Sequence, residues 1–324
     1  MTSSRNVLAM IRSHAAGDSV HFLSIAEHIA GEAARSGKTK VAEEITAAVQ
    51  RAKLQPKAST PPTPIAAARG ELAGLMRVTY PEVRLSDLVV GGDLQRRLRR
   101  LVREHDEAEA LKAMDLSPRR KFLFSGPPGT GKSMTAAAIA GELGLPLFTV
   151  MLDGIITKFM GETAAKLRLV FDAMRATRGV YLFDEVDALA ARRASENDIG
   201  EARRMLNSFL MFLEEDNSGS VVIAATNLRS LLDTAIFRRF DAAFVYAKPS
   251  TDEARRVLVN HLRSFAVSDL DWTRIDECTT GLSQADIVSA AADAARDAVL
   301  DNASTLTTDI VCQALADRAS IHVE

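Results

Sequence analysis

The amino-acid sequence predicts an α/β fold that is flanked by helical segments at both ends of the chain. Four short apolar runs, at residues 121–124, 145–152, 179–184 and 220–227, alternate with stretches of helical spacing. This alternation is typical of a mostly parallel sheet whose strands are joined by crossover helices. Before residue 55 and after Pro249, apolar residues recur every three or four positions, which predicts helices there.

Changes in composition divide the chain into four segments. Residues 1–54 are expected to form a small helical N-terminal domain. Residues 55–84 are expected to be a linker, because "QPKASTPPTP" carries four prolines within ten positions and cannot form a packed core. Residues 85–249 contain the predicted strands and form the α/β domain, and residues 250–324 form a small helical lid domain.

Composition sets the broad class of the protein. Of its 324 residues, 47% are apolar and 25% are charged, which is sufficient for one large or two modest folded units. The formal net charge of -2 gives no reason to expect binding to nucleic acid or to a membrane surface. The sequence begins without the features of a secretory signal, and no run reaches the length of a membrane span. We therefore expect a cytoplasmic protein in which Cys278 and Cys312 are small core residues without a structural disulfide.

The segment "GPPGTGKS", at residues 126–133, carries the strongest chemical signal in the sequence. It directly follows an apolar strand and directly precedes a helical run. Its glycines allow a tight turn whose N–H groups point at phosphate oxygens, next to the positive end of a helix. Lys132 is placed to reach the terminal phosphates of ATP, and the Ser133 hydroxyl to ligate Mg²⁺. The alternative, a glycine-rich turn that binds nothing, does not account for the strand and helix on either side.

Two further strand ends carry polar groups that suit phosphate chemistry. The strand at residues 180–183 is followed by Asp184, which can hold the metal through its water shell, and Glu185, which can orient and deprotonate a water. Asn227 ends another strand and can position the same water. Taken alone, the two acids also suit a solvated loop, and Asn227 also suits a turn. Their place after a phosphate-binding loop favours ATP hydrolysis.

From about residue 85 to residue 318 the chain resembles a single ATPase module of the AAA+ class. The resemblance rests on "GPPGTGKS" (Walker A), "FDEVDALAARR" (Walker B and its sequel), "AATN" (sensor 1), "LLDTAIFRRFD" (the second region of homology) and "TGLSQADI" in the lid. It implies a P-loop NTPase with a five-stranded parallel sheet, a helical lid, and a ring, usually a hexamer, with ATP at each subunit interface. Arg238 and Arg239 would then be arginine fingers that reach the nucleotide of the neighbouring subunit.

The resemblance also implies which residues surround the nucleotide. Gln284 stands where relatives commonly have glycine and lies near the expected adenine pocket, and "SDLVVGG" resembles the stretch on the other side of the adenine. The two-residue insertion that many relatives carry between the two arginines is absent. Ser133 and Asp184 are the expected metal ligands. The expected nucleotide-binding residues are Asp87, Leu88, Val89, Pro128, Gly129, Thr130, Gly131, Lys132, Ser133, Met134, Gln284 and Ala285.

The stretch "ITKFMGETAAK", at residues 156–166, places two large apolar residues where a turn is predicted. In AAA motors that thread polypeptides, the corresponding loop carries an aromatic residue, an apolar residue and a glycine. Lys158, Phe159 and Met160 therefore match a substrate-gripping pore loop, with "RRASEND" at residues 192–198 as a second, charged loop. The alternative is that these apolar side chains pack within the subunit or onto a partner.

Two functions remain open from the sequence. One is a motor that uses ATP to remodel or thread a polypeptide, and the other is a switch that regulates a bound partner without threading. Residues 11–45 are similar to the helical head of bacterial AAA ATPases often encoded beside a subtilisin-like serine peptidase, which makes such a peptidase a candidate partner. Helical heads of AAA rings usually bind partners or substrates, and a purely structural cap is the alternative. A nucleic-acid motor is disfavoured by the acidic charge balance.

Overall fold

A computed structural model describes residues 29–31, 46, 70–155, 160–189, 196–227, 238–301 and 305–321. The chain divides into two units, Met1–Pro61 and Pro62–Glu324, and every element described below belongs to the second. The predicted N-terminal helices lie outside the described residues, except for short helical pieces at residues 29–31 and 46. The domain boundaries drawn from composition stay predictions.

Among the described residues, the centre of the second unit is a sheet of six strands. They are β1 (Met76–Thr79), β2 (Lys121–Ser125), β3 (Leu147–Val150), β4 (Val180–Phe183), β5 (Val221–Thr226) and β6 (Ala242–Val245). Their order across the sheet is β1-β3-β4-β5-β2-β6. Neighbouring strands from β3 to β6 run parallel. The four apolar runs of the sequence form β2 to β5, as predicted, because strands buried on both faces need apolar side chains at successive positions.

The sheet has one strand more than the five that the resemblance implies. The additional strand, β1 (Met76–Thr79), pairs antiparallel with β3 at the sheet edge, with Met76 opposite Val150. It lies in the stretch at residues 55–84 that was expected to be linker. Only Met76 of this strand is fully buried, so an edge strand of four residues leaves almost no alternating pattern in the sequence. The proline cluster that predicts an extended chain ends earlier, at Pro64.

Helices cover both faces of the sheet. Alternate residues of each strand point to opposite faces, and both sets are apolar in the central strands, so both faces must be buried. Val180 and Leu182 of β4 pack with the helices α1 (Gly92–Asp106) and α3 (Lys132–Leu143). Tyr181 and Phe183 pack with α5 (Met160–Ala176) and α6 (Glu196–Glu215). Each face therefore has its own apolar core. The helices of this domain are α1 (Gly92–Asp106), α2 (Ala108–Lys112), α3 (Lys132–Leu143), α4 (Leu152–Ile155), α5 (Met160–Ala176) and α6 (Glu196–Glu215).

The chain after Pro249 is helical, as predicted, and packs around a core of its own. Several of its helices begin at a side-chain cap: Ser250 and Ser283 each form a capping box with the acidic residue three positions later. Within the described part of the chain, no helix is long and apolar enough to cross a membrane. The helices are α7 (Thr251–His261), α8 (Trp272–Cys278), α9 (Gln284–Leu300) and α10 (Thr308–Ser320).

Candidate functional site

The candidate site lies at the carboxyl ends of the central strands. β5 pairs with β2, with Thr226 opposite Ser125, and also with β4, with Ala224 opposite Phe183. Because parallel strands all end at the same edge of a sheet, the segments that follow these strands come together there. These segments are the glycine-rich loop after β2, Asp184 and Glu185 after β4, and Asn227 after β5. The sheet thus brings together the residues that the sequence motifs predict.

Close approaches to the backbone explain two glycines of the loop. Gly129 has a φ of 71°, and a Cβ atom there would lie 2.4 Å from Oγ of Ser283 at the start of the lid helix α9. A Cβ atom at Gly126 would lie 2.3 Å from the carbonyl oxygen of Tyr246, just after β6. Any larger residue at either position would collide with its neighbour. The loop is therefore held between the sheet and the lid.

Lys132, the first residue of α3, spans the loop from within. Its Nζ atom donates hydrogen bonds to the carbonyl oxygens of Gly126 and Pro127 and to Oδ1 of Asn227, each over 2.8 Å. The side chain is buried, and this burial lowers the pKa of its ammonium group, while nearby carboxylates, that of Asp184 above all, oppose the shift. The Walker A lysine and the sensor 1 asparagine are thereby in direct contact.

A hydroxyl and a carboxylate form the part of the site that suits a metal ion. Oγ of Ser133 donates to Oδ2 of Asp184 over 2.5 Å, at the amino end of α3. Mg²⁺ prefers oxygen ligands of this kind, so the two groups that the sequence predicts as metal ligands fit that ion. Ser133 is exposed, and Asp184 is partly exposed, which leaves room for water in the coordination shell.

Glu185 is held in an unusual backbone conformation beside this pair. Its φ is 54°, in the left-handed region that residues other than glycine rarely occupy, and its N–H donates to Oδ1 of Asp184 over 3.0 Å. Such strain is of the order of 1 kcal/mol or more and clusters at functional sites. The side chain is exposed, where it can contact water.

Asp187 is a member of the site that was not predicted from the sequence. Its Oδ1 atom accepts a hydrogen bond from the backbone N–H of Asn227 over 3.3 Å, which ties the residue after β5 to the segment after β4. The only signal for it in the sequence is its place as the last acid of "DEVD". This contact helps to orient Asn227 toward Lys132.

The lid closes the other side of the loop. The N–H of Ala285 donates to the carbonyl oxygen of Gly129 over 3.0 Å, and Nε2 of Gln284 donates to the carbonyl oxygen of Val89 over 2.5 Å. A cavity of about 590 Å³ lies beside these contacts. Gln284, Thr130 and the segment from Val90 to Leu94 are among the residues that line it. Its volume lies within the range of about 300–1,000 Å³ that is usual for small-molecule sites.

The predicted adenine segment contacts this region mainly through its backbone. Leu88 packs in the core beneath α1 and α3, and Val89 packs in the core of the lid while its carbonyl oxygen accepts from Gln284. The carboxylate of Asp87 accepts from the N–H of Arg84 and so stabilises a short 3-10 turn. Pro128 and Met134, at the two ends of the loop, are exposed.

Arg238 and Arg239 lie near the amino ends of the strands, whereas the glycine-rich loop follows the carboxyl end of β2. β6 starts just after them and runs parallel to β2, with Ala242 opposite Phe122 near the amino end of β2. The five residues of β2 separate that end from the loop by about 15 Å. Arg238 is exposed, whereas Nε of Arg239 forms an ion pair with Oε1 of Glu214 over 2.7 Å.

The residues of the predicted pore loop are not tested by the structure. Lys158 and Phe159 lie outside the described residues, and Met160 is the first residue of α5. Most of the second loop, at residues 192–198, likewise lies outside them.

Comparisons with known proteins agree with this geometry. The family model described as "ATPase family associated with various cellular activities (AAA)" matches residues 122–247. An uncharacterised AAA family ATPase of Sinorhizobium fredii is 33% identical over 302 residues, which cover 92% of this chain and 90% of that relative. This chain belongs to the AAA family of ATPases. The family model matches the α/β domain, and the similarity to the Sinorhizobium fredii relative covers 92% of the chain.

Two further matches bear on this AAA ATPase. The ATP-dependent zinc metalloprotease FtsH 1 of Symbiobacterium thermophilum is 34% identical over 231 residues, which cover 68% of this chain but only 39% of that protease. The crystal structure of the FIGL-1 AAA domain matches with a TM-score of 0.60 and 24% identity, over 75% of this chain and 85% of that domain. At that identity the structural match shows the fold alone. The protein is thus an α/β ATPase with a single AAA module, and it binds and hydrolyses ATP.

Proposed function

We propose that this AAA ATPase forms a homo-oligomeric ring, a hexamer as in most of its class, and remodels or threads a polypeptide in the cytoplasm. The observation that carries the proposal is the placement of the arginine pair. Arg238 and Arg239 lie at the amino end of the strands, whereas the glycine-rich loop follows the carboxyl end of β2. Within one chain these arginines do not reach the loop, so a role in ATP hydrolysis requires a second subunit.

The other predicted residues act within one subunit in this proposal. Lys132 and the N–H groups of the loop bind the phosphates, and Ser133 and Asp184 hold Mg²⁺, which supplies positive charge beside the transferring phosphoryl group when it is bound. Glu185 accepts a proton from the attacking water, and the amide of Asn227 orients that water. Lys132 donates to Oδ1 of Asn227, and this contact supports the role, because a fixed side chain positions its ligand better than a mobile one.

The different surroundings of the two arginines support a division of roles. Arg238 is exposed and is therefore the finger that reaches the neighbouring subunit. Arg239 forms an ion pair with Glu214 at the end of α6 of its own subunit. Arg238→Ala is expected to keep ATP affinity within about twofold and to lower turnover by at least about a hundredfold, because the group acts on the transition state. Nucleotide titration and steady-state hydrolysis measure the two effects, and Arg263→Ala, at an exposed lid arginine, is the control.

A mixing experiment tests whether the sites are shared between subunits. Arg238→Ala subunits keep an intact phosphate loop, and Lys132→Ala subunits keep an intact finger. Some interfaces of a mixed ring therefore combine both intact parts, and the mixture is expected to regain activity that neither variant has alone. If co-assembled mixtures show no recovery, or if a dilute monomer has the parental specific activity, the ring proposal is wrong.

The threading function rests on the sequence of the predicted pore loop. Phe159→Ala is expected to leave basal ATP hydrolysis within about twofold of the parent while abolishing its stimulation by an unfolded polypeptide. The reason is that gripping needs the aromatic side chain of Phe159, whereas ATP hydrolysis does not. A labelled, permanently unfolded polypeptide serves as the probe for stimulation and unfolding assays. Normal remodelling by the variant would instead favour a switch that controls a partner, such as a subtilisin-like peptidase.

A stability measurement separates gripping from packing at the same position. Phe209→Ala removes a fully buried ring and is expected to lower the free energy of unfolding by about 3–5 kcal/mol. Phe159→Ala is expected to lower it by less than about 1 kcal/mol. A loss at Phe159 as large as that at Phe209 would place the Phe159 ring in a core.

A further inference from the structure

A second cavity, of about 820 Å³, lies on the outer side of α1 and is lined by an unusual set of arginines. Four of them stand at positions 96, 99, 100 and 103, where each has two others three and four residues away, so they lie on one face of the helix. The opposite face of α1, with Leu98 and Leu101, packs on the sheet. The arginines that line this arginine cavity are Arg96, Arg99, Arg100 and Arg103 of α1 and Arg119 just before β2.

The arginine cavity carries a positive charge although the whole chain does not. Glu104 and Glu107 also line it, so five guanidinium groups and two carboxylates leave a formal excess of three positive charges, against -2 for the chain. Arg119 binds Glu104 through two hydrogen bonds, of 3.0 and 2.5 Å, and this contact holds the pKa of Glu104 below its ordinary value. These two hydrogen bonds fix the ion pair of Arg119 and Glu104 at the border of the arginine cavity.

The remaining arginines of α1 project into solvent. The side chains of Arg96, Arg100 and Arg103 are 75–77% exposed. The ion pairs of Arg96 with Asp93 and of Arg103 with Glu107 lie at the surface and are weak, and the carboxylate near Arg100, that of Glu104, is already bound by Arg119. Each of these three exposed arginines also has another arginine of the group three or four residues away, and such like-charge neighbours destabilise a helix. An anionic ligand would remove that repulsion.

Apolar side chains that also line the arginine cavity indicate what kind of anion fits. Leu111 and Leu116 line it, and Leu116 is 58% exposed beside Met114, which is 76% exposed. Among the described residues that line it there is no aromatic ring on which a nucleic-acid base would stack. Arginines facing exposed aliphatic side chains suit carboxylates next to a leucine-like residue.

We propose that the arginine cavity binds an acidic segment of a partner protein, with carboxylates on the arginines of α1 and an aliphatic side chain on Leu111 and Leu116. This site is separate from the catalytic residues. It is joined to the nucleotide-binding region by α1 itself, whose first residue, Gly92, lines the 590 Å³ cavity beside the loop. A bound segment is therefore in a position to influence nucleotide binding.

Binding of a defined peptide tests the proposal on the full-length protein. The probe is a fluorescein-labelled peptide of glutamate, aspartate and leucine, compared with a peptide in which glutamine and asparagine replace the acids. The double variant Arg99→Gln with Arg100→Gln is expected to weaken binding of the acidic peptide by at least about tenfold, because two charge-assisted contacts are lost. Basal ATP turnover is expected to stay within twofold of the parent. Arg263→Gln with Arg274→Gln, two exposed lid arginines, is the matched control.

Other outcomes overturn the proposal in distinguishable ways. Equal binding by the double variant, or no binding by the parent, means that the cavity does not take acidic peptides. Tighter binding of an oligonucleotide of equal charge assigns it to nucleic acid. Loss of self-assembly in the double variant without peptide binding by the parent makes it a contact between subunits. Leu116→Ser, at an exposed position, provides a second test that leaves the charges intact, and unchanged peptide affinity in it removes the apolar half of the proposal.

Discussion

Glu185→Gln is expected to bind MgATP with the affinity of the parent and to hydrolyse it about a hundred to ten thousand times more slowly. Glu185 follows β4, its backbone is in the left-handed region, and its N–H donates to the carboxylate of Asp184. Its own carboxylate is exposed. Glutamine keeps the size and the backbone contact of this residue but cannot accept a proton from water. The variant therefore loses the chemical step and retains the phosphate loop and the metal ligands.

Single-turnover hydrolysis with bound nucleotide measures this effect without interference from product release. Glu277→Gln, at an exposed glutamate of the lid, is the matched control and is expected to have parental turnover. If Glu185→Gln hydrolyses ATP at the parental rate, Glu185 is not the base. Asp187, which is partly buried and bonded to Asn227, would be the next carboxylate to test.

The same variant is suited to finding what the ATPase acts on. An enzyme that holds ATP without hydrolysing it remains in the state that engages substrate, so bound proteins are expected to co-purify with Glu185→Gln more than with the parent. Mass spectrometry of this material identifies them. The same capture is repeated with Glu185→Gln combined with Phe159→Ala. A polypeptide that is retained by the single variant but not by the double variant supports gripping, whereas a peptidase that both variants retain supports the switch.

Much of the phosphate-binding edge could be predicted from the sequence, because its parts follow buried strands. The strands at residues 121–124 and 180–183 are recognised by continuous apolar runs, and a parallel sheet brings the residues after such strands to one edge. Lys132 and Asn227 lie 95 positions apart in the chain and are hydrogen-bonded for this reason.

Features that depend on weak or long-range signals could not be predicted in the same way. β1, with the sequence MRVT, buries a single side chain fully and shows no strong apolar pattern. β6 lies in the apolar run at residues 242–247, but this run is short and half of it is alanine, which is not typical of strands. The ion pair of Arg239 with Glu214 joins two separate segments, and no pattern in either sequence predicts this contact. The arginine cavity requires the chain after α1 to fold back until Arg119 meets Glu104, and helical spacing alone does not predict that contact.

Lys132→Ala is expected to lower ATP affinity by at least about a hundredfold, which abolishes binding at ordinary nucleotide concentrations. The ammonium group is buried and donates to three oxygen atoms at the centre of the loop. Its removal takes away the positive charge that the terminal phosphates bind and leaves those oxygens without their donor. Unlike Glu185→Gln, this variant is expected to fail at binding, before any chemistry.

Thermal denaturation with and without MgATP measures this loss of binding. A ligand that binds only the folded state raises the melting temperature by mass action, so the parent and the exposed-site control Lys112→Ala are expected to shift while Lys132→Ala does not. Lys132→Met keeps the buried aliphatic stem and separates loss of charge from loss of packing, since it should melt near the parent without nucleotide and still show no shift. A parental shift in either Lys132 variant would mean that other groups bind the terminal phosphates.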